Sequence, residues 1–169
     1  MDKQNCITKL TELLRQYPDK KCKLHLIHGN MTDEEMNSLY THPKLKALVT
    51  LTHGEGYGLP LFEAAYNGMP VVAPAWSGHC DFLFAPVKKK GSNKTKIRPL
   101  FAKVDYDLKP VQKEAVWKGV LQPDSMWCYA RENSYKRKLR EVYKSHSMFI
   151  GHAKKLKKHL NSNFTNQIM

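Results

Sequence analysis

A glycine-rich turn between two short apolar runs is the feature that most constrains the fold of this chain. The first run, residues 47–52, is largely apolar with two threonines and is typical of a buried strand. Residues 53–58 then supply three glycines, which let the backbone turn sharply and approach a ligand closely. Pro60 suits the first turn of a helix, and residues 67–68, Asn-Gly, are a left-handed stop. With a second strand at 71–73, the sequence predicts a strand, loop, helix, strand unit.

Such a unit points backbone N–H groups and the positive end of a helix at an anion, and a diphosphate is the expected ligand. Two carboxylates flank the turn, Glu55 in the loop and Glu63 eight positions later in the helix. A carboxylate repels phosphate, so both are better explained by ligand hydroxyl groups. We expect Glu63 to accept hydrogen bonds from a vicinal diol such as ribose, and Glu55 to meet a sugar. Each residue alone also fits an ordinary surface or turn position, but the combination favours a sugar nucleotide site.

The run from Glu55 to Asp81 resembles the donor-binding half of GT-B glycosyltransferases. It is most similar to the retaining family 4 (group 1) enzymes, which carry an E-x7-E motif with the continuation E-G-[FY]-G-L-P, E-A and G-x-P-V. The resemblance covers residues 22–83, and it implies that Glu55 contacts the transferred sugar and that Glu63 binds the ribose. It also implies contacts from the glycine loop to sugar and phosphates, at Gly56, Tyr57, Gly58 and Leu59.

Two further loops are matched by the same resemblance. The turn Gly29, Asn30 and Met31, which follows a predicted strand at 23–28, corresponds to the loop against the nucleotide base. A capping box follows this turn and predicts a helix to about residue 40, so the turn also has a purely structural explanation.

The loop after the strand 71–73 corresponds to the loop beside the transferred sugar, with Ser77, Gly78 and His79 as its candidate residues. The family more often has two glycines here, so Trp76 and His79 are departures. Either a sugar contact or a satisfied loop histidine would account for His79.

The resemblance implies an α/β fold: a Rossmann-like three-layer arrangement of parallel sheet and helices, the C-terminal half of a GT-B fold with additional C-terminal helices. At 169 residues the chain fits one domain. We therefore expect 1–169 to be a single, incomplete GT-B donor-binding domain. Its first 20 residues predict a helix, where the family has a strand and a loop whose basic pair clamps the diphosphate. Residues 87–98 are predicted as an exposed, mobile basic loop, and 134–160 as helices with a break near Ser147.

Charge is distributed unevenly along the chain. Residues 1–85 hold 8 Lys and Arg against 9 Asp and Glu, whereas residues 86–169 hold 20 against 6. The basic half predicts affinity for an anionic membrane surface, a polyanionic acceptor or nucleic acid, although Lys-rich helices are also often solvated faces. The sequence shows no signal peptide and no apolar run long enough to span a membrane, so we expect a cytoplasmic protein, peripheral to a membrane where the basic half binds one.

The predicted function is the nucleotide-sugar-binding part of a glycosyltransferase of the hexosyltransferase type, incomplete for catalysis without an N-terminal acceptor domain or a partner chain. The alternative is a non-catalytic or split-enzyme binding subunit, for which a homo-oligomer would be one form. A nucleic-acid-binding module is disfavoured, since the chain lacks the zinc, aromatic and helix-turn-helix signatures of such modules. The four cysteines show no metal-ligand spacing, and the resembled enzymes need no metal, so no metal and no cofactor is expected.

Overall fold

The computed structural model of the chain describes residues 2–88, 91 and 93–164. Residue contacts divide it into two compact units, one up to residue 36 and one from residue 37 onward. Among the described residues, no helix is both long and apolar enough to cross a membrane.

The first unit begins with the predicted helix, α1 (Lys3–Arg15). The Asp2 carboxylate caps it by accepting a 2.9 Å hydrogen bond from the N–H of Asn5. The strand predicted at 23–28 is wrong: these residues form no regular element and pair with no strand of the described chain. Leu24 and Ile27 are 53% and 62% exposed, so no apolar face is buried to fix them in a sheet.

The capping box at the next helix, α2 (Asp33–Thr41), is confirmed. The N–H of Thr32 donates to Oε2 of Glu35 at 2.9 Å, and the N–H of Glu35 donates to Oγ1 of Thr32 at 3.2 Å. Two N–H groups that a helix start leaves without partners are thereby satisfied by local side chains.

The second unit contains the remaining elements. Its strands are β1 (Leu48–Val49), β2 (Val71–Pro74), β3 (Phe84–Lys88), β4 (Thr95–Pro99), β5 (Ala102–Val104), β6 (Tyr106–Pro110) and β7 (Met126–Ala130). Its helices are α3 (Leu59–Tyr66), α4 (Cys80–Leu83), a 3-10 turn (Lys113–Ala115), α5 (Glu132–Lys144) and α6 (His146–Asn163).

The strands β1, β2 and β5 form a parallel sheet in that order within the described chain. Leu48 pairs with Val71, and Val72 pairs with Ala102 on the other side. The central strand β2, which matches the second predicted strand, is buried along its whole length. The edge strand β1 is shorter than predicted and only partly buried, with Val49 44% exposed, because it has a neighbour on one side only.

The prediction of a mobile loop at 87–98 is wrong at both of its ends. Residues 84–88 and 95–99 are the antiparallel strands β3 and β4, in register with Pro86 opposite Ile97. Lys89, Lys90 and Ser92, which the prediction also included, lie outside the described residues. The strands form because each provides the other's backbone hydrogen-bond partners, which the lysine-rich composition does not reveal.

The core lies between the parallel sheet and the helices that pack on it. One cluster joins Val72 of β2 and Val104 of β5 to Val142 of α5 and Phe149 of α6. The helix α3, which has Pro60 in its first turn as predicted, packs with α6 and buries its own apolar face. The helices predicted over 134–160 are confirmed, with the break at Ser145 instead of Ser147.

The second unit is therefore a mixed α/β structure with a parallel sheet, in agreement with the coarse prediction. It also carries two antiparallel pairs, β3 with β4 and β6 with β7, which the sequence analysis did not predict. Each pair forms its own two-stranded sheet in the described chain.

Candidate functional site

The candidate site is built from two loops at one edge of the parallel sheet. Residues 50–58 follow β1, and residues 75–79 follow its neighbour β2. Because parallel strands end at the same edge, the two loops lie side by side, and this edge is where ligands bind in open α/β sheets. The predicted residues Glu55 to Leu59 and Ser77 to His79 all belong to these loops or to the start of α3.

Gly58 makes the transition from the first loop into α3. Its backbone is left-handed, with φ 87° and ψ 54°, a conformation that glycine adopts readily. A Cβ at this position would lie 3.2 Å from Cβ of His79 and 3.4 Å from a methyl carbon of Leu61. Its carbonyl oxygen accepts hydrogen bonds from the N–H groups of Leu61 and Phe62, both at 3.0 Å. Gly58 is therefore required by the fold itself.

The start of α3 leaves backbone donors free. Within the described residues no acceptor is bonded to four consecutive N–H groups, those of Gly56, Tyr57, Gly58 and Leu59. Consecutive free N–H groups at the positive end of a helix attract an anion. A Cβ on Gly56 would meet no atom within 4 Å, so the space beside this backbone is open.

The second loop holds the first in place through Ser77. The Ser77 hydroxyl donates to the carbonyl oxygen of Glu55 at 2.5 Å and accepts from the N–H of Glu55 at 3.1 Å. The N–H of Gly78 donates to the same carbonyl oxygen at 3.1 Å. Ser77 therefore acts on the position of Glu55, and its hydroxyl is already occupied by the main chain.

The contact between the loops is too close for any side chain at Gly78. A Cβ there would lie 2.0 Å from the carbonyl oxygen of Gly56. Ser77 is in the left-handed region, with φ 79°, as the one described residue other than glycine with positive φ. Such a conformation is costly for a residue with a side chain, and surrounding contacts must hold it. The two loops form one rigid structure at the edge of the sheet.

The Glu55 side chain is half-buried beside the free amides. Its Oε1 accepts a 2.8 Å hydrogen bond from the hydroxyl of Thr52. This bond orients the carboxylate, and its remaining lone pairs stay available to a ligand hydroxyl.

Glu63 lies one turn into α3 and approaches the buried Tyr40 side chain. Burial, followed by a hydrogen bond to the Glu63 carboxylate and its charge, raises the pKa of Tyr40 to about 12. Tyr40 therefore stays protonated and acts as a donor toward Glu63. The Glu63 carboxylate retains acceptor capacity for a second partner.

His79 differs from the predicted sugar-side position. It is 2% exposed, and its Nε2 lies 2.7 Å from the carbonyl oxygen of Pro74. The carbonyl can only accept, so Nε2 carries the proton, and Nδ1 has no partner among the described residues. In this conformation the His79 imidazole is buried and bonded to the backbone of its own loop, an arrangement that agrees with the loop-histidine interpretation.

An aromatic cluster that the sequence did not predict forms around His53, two residues before Glu55. His53 is stacked on Trp127 with 4.7 Å between ring centroids, and its centroid lies 4.5 Å from that of Tyr129. Two hydrogen bonds to Cys128 fix its position, from Cys128 N–H to the His53 carbonyl at 3.0 Å and from His53 Nδ1 to the Cys128 carbonyl at 2.7 Å. The strand pair β6–β7 is thereby held against the glycine loop, 75 positions away in sequence.

Gly29, Asn30 and Met31 belong to the first unit, where they connect residues 23–28 to α2. Gly29 has a φ of 126°, which favours glycine, and a Cβ there would meet no atom within 4 Å. In the described part of the chain, no three His, Cys, Asp or Glu side chains come together in a group suited to a metal ion.

Comparison with known proteins gives a local similarity. A segment of 66 residues is 39% identical to three curated Escherichia coli proteins, each named serotype-specific mannosyltransferase WbdA. The segment is 39% of this chain but 8% of the length of each relative. The similarity supports a relation to glycosyltransferases over that segment. No model of a known protein family matches the chain, and no solved structure matches it.

Proposed function

We propose that this chain is the nucleotide-sugar-binding part of a glycosyltransferase. It would be the donor-binding half of a GT-B fold, and would transfer a hexose from a nucleoside diphosphate sugar to an acceptor. The similarity to mannosyltransferases makes mannose the first sugar to test. The observation that carries the proposal is the row of free N–H groups from Gly56 to Leu59, bordered by Glu55 and Glu63.

The row of N–H groups fits the diphosphate. Four donors at the start of a helix match an anion with several acceptor oxygens, and the absence of a Cβ on Gly56 lets that anion reach the backbone. When the bond to the sugar breaks, the leaving diphosphate gains negative charge. Donors that are already oriented stabilise this charge without reorganisation, which is how such groups accelerate a reaction.

The two glutamates fit the hydroxyl groups on either side of a diphosphate. Glu55 is oriented by Thr52 and Glu63 by Tyr40, and each keeps acceptor lone pairs. We assign Glu55 to the transferred sugar and Glu63 to the ribose, and we assign neither as a nucleophile. Gly29 to Met31 remain the proposed loop for the base. Ser77 and Gly78 position Glu55.

Transfer to an acceptor would need a second binding surface that holds the acceptor against the donor sugar. We propose that an N-terminal acceptor domain or a partner chain supplies it. The donor site needs neither metal nor cofactor in this proposal, because main-chain N–H groups meet the phosphate charge.

The test is ligand-observed NMR of the chain with UDP-, GDP- and ADP-sugars, mannose donors included. Glu63→Ala should weaken binding by roughly 1.5–3 kcal/mol, the scale of a hydrogen bond to a charged group. Tyr40→Phe is its matched control, since it removes the hydroxyl from Glu63 and leaves the carboxylate. Unchanged affinity in a folded Glu63→Ala variant would remove the ribose role, and an equal loss in Tyr40→Phe would make that role structural.

Gly56→Ala tests the phosphate contact separately. The new methyl group meets no protein atom within 4 Å, so the fold should be unchanged while the backbone becomes less accessible to the ligand. Gly151→Ala in α6 is the control, because its Cβ also meets nothing and the residue is remote from both loops in sequence. Full donor binding by Gly56→Ala would contradict the close approach of the diphosphate.

A further inference from the structure

Two segments of the chain contain many cations and no acidic residue. Residues 82–104 hold 7 Lys and Arg, and residues 142–169 hold 5 Lys. Neither segment contains an Asp or Glu, whereas the helix α5 carries Glu132 and Glu141 among its Lys and Arg residues. A run without compensating charge is a strongly positive surface wherever it is exposed.

The fold brings the two segments together. β3 packs against α6, and between them lies a groove, here called the basic groove. Its cations are Lys88 of β3 and Lys155 and Lys158 of α6. The remaining lining residues are Pro86, Val87, Leu100, His159, Ser162 and Asn163.

The cations of the basic groove are not neutralised by the protein. Lys88, Lys155 and Lys158 are exposed, and none of them forms an ion pair with another described residue. The described ion pairs of this unit lie instead on β6 and α5, such as Arg131 with Asp107. Three uncompensated charges around one groove leave it open to an external anion.

An apolar side chain stands beside these charges. Ile97 is 65% exposed on β4, directly opposite Pro86, and Lys88, two residues after Pro86 on β3, lies on the same face of this strand pair. An apolar side chain beside a lysine suits the boundary between headgroups and acyl chains of a bilayer. Single-stranded nucleic acid is bound chiefly by aromatic stacking platforms, and no Phe, Tyr or Trp lines the groove.

We propose that the basic groove and the adjoining face of β4 form a docking surface for an anionic phospholipid bilayer. The lysines bind lipid phosphate groups, and Ile97 enters the headgroup layer. This surface is independent of the proposed donor site and would stand if that site binds no sugar nucleotide.

The experiment is co-sedimentation of the full chain with phosphatidylcholine vesicles, with and without phosphatidylglycerol. We expect binding to the anionic vesicles alone, weakened by salt. Lys155→Glu with Lys158→Glu should lower the vesicle affinity by at least about tenfold, since each surface lysine contributes roughly fivefold. Ile97→Ser should lower it by a smaller factor, and circular dichroism melting confirms that each variant is folded.

The control is Lys113→Glu with Lys118→Glu, which makes the same change in net charge in the exposed segment before β7. It should keep most of the vesicle affinity. An equal loss of vesicle affinity in the control variant would show that the effect depends on net charge alone. That result would overturn the assignment to the basic groove. Absence of binding to anionic vesicles, or tighter binding to random oligonucleotide than to vesicles at the same salt, would overturn the membrane partner.

Discussion

Residues 22–31 and residues 47–58 were both interpreted as a strand followed by a turn, and only the second region forms one. In the second region, β1 pairs with the buried strand β2, and its loop is bonded to the loop after β2. In the first, no regular strand forms, Leu26 is 44% exposed, and no partner strand is present in the described chain.

The difference teaches that apolar alternation predicts a strand only where a partner is available. A segment whose side chains stay exposed gains little free energy from burial to offset the entropy lost on ordering it as a strand. In the second region, burial of the β2 side chains supplies the free energy that stabilises the paired strands. The site loops follow these strands and are ordered with them.

The largest expected effect is a difference in the free energy of unfolding between truncation of a buried leucine and truncation of an exposed one. Leu61→Ala, in the helix that follows the glycine loop, removes a side chain that is 1% exposed and should lower the free energy of unfolding by roughly 2–5 kcal/mol. Leu26→Ala, the same substitution in the first region, should change it by less than about 0.5 kcal/mol. Urea unfolding of both variants measures the contrast. A cost above about 1 kcal/mol for Leu26→Ala would show that the first region is packed in solution.

The alkylation rates of a buried and an exposed cysteine give a second comparison between the two parts of the chain. Burial raises the pKa of Cys128 to about 11 from the ordinary thiol value of 9.0, which lowers its thiolate fraction at pH 8 about hundredfold. The thiolate forms only as pH rises toward that pKa, so alkylation at pH 8 should be correspondingly slow. Cys22, exposed in the first region, should react first. Peptide mass spectrometry of a timed iodoacetamide reaction tests this order, and equal rates would mean that β7 opens readily.

The contact between the two site loops gives the next effect. Gly78→Ala places a methyl group in the space of the Gly56 carbonyl oxygen and should cost about 1–3 kcal/mol, the range for overpacking. Gly56→Ala is the control on the other side of this contact and should leave the melting temperature unchanged. A Gly78→Ala variant as stable as the native chain would show that the loops separate at no cost.

Much of the site followed from local sequence. The glycine loop, the helix from Leu59, the buried strand β2 and the stop at Gly68, whose φ is 80°, all depend on neighbours within a few positions. The role of Ser77 as a brace for Glu55 did not follow, because a serine in a loop carries no sign of the partner 22 positions earlier.

The strand pairs were harder to predict for the same reason. The pair β3–β4 has lysines at exposed positions of both strands, so its composition is typical of a loop. Contact of His53 with Trp127 and Tyr129 depends on where β6–β7 docks, and no pattern near His53 indicates that position. Fold class and loops were predictable, whereas long-range pairing of short strands was not.

The smallest expected effect concerns the capping box of Thr32 and Glu35, which directly follows residues 22–31. Thr32→Ala removes the acceptor of the Glu35 N–H and should cost about 1 kcal/mol of helix stability, because a capping side chain satisfies a donor that the helix leaves free. Amide hydrogen exchange at Glu35 and Met36 should then accelerate about fivefold, since their protection depends on this first turn. Thr11→Ala, whose hydroxyl bonds only a carbonyl within α1, is the control and should leave that exchange unchanged. If amide exchange in the first turn of α2 is already fast in the native chain, the capping box does not stabilise that turn.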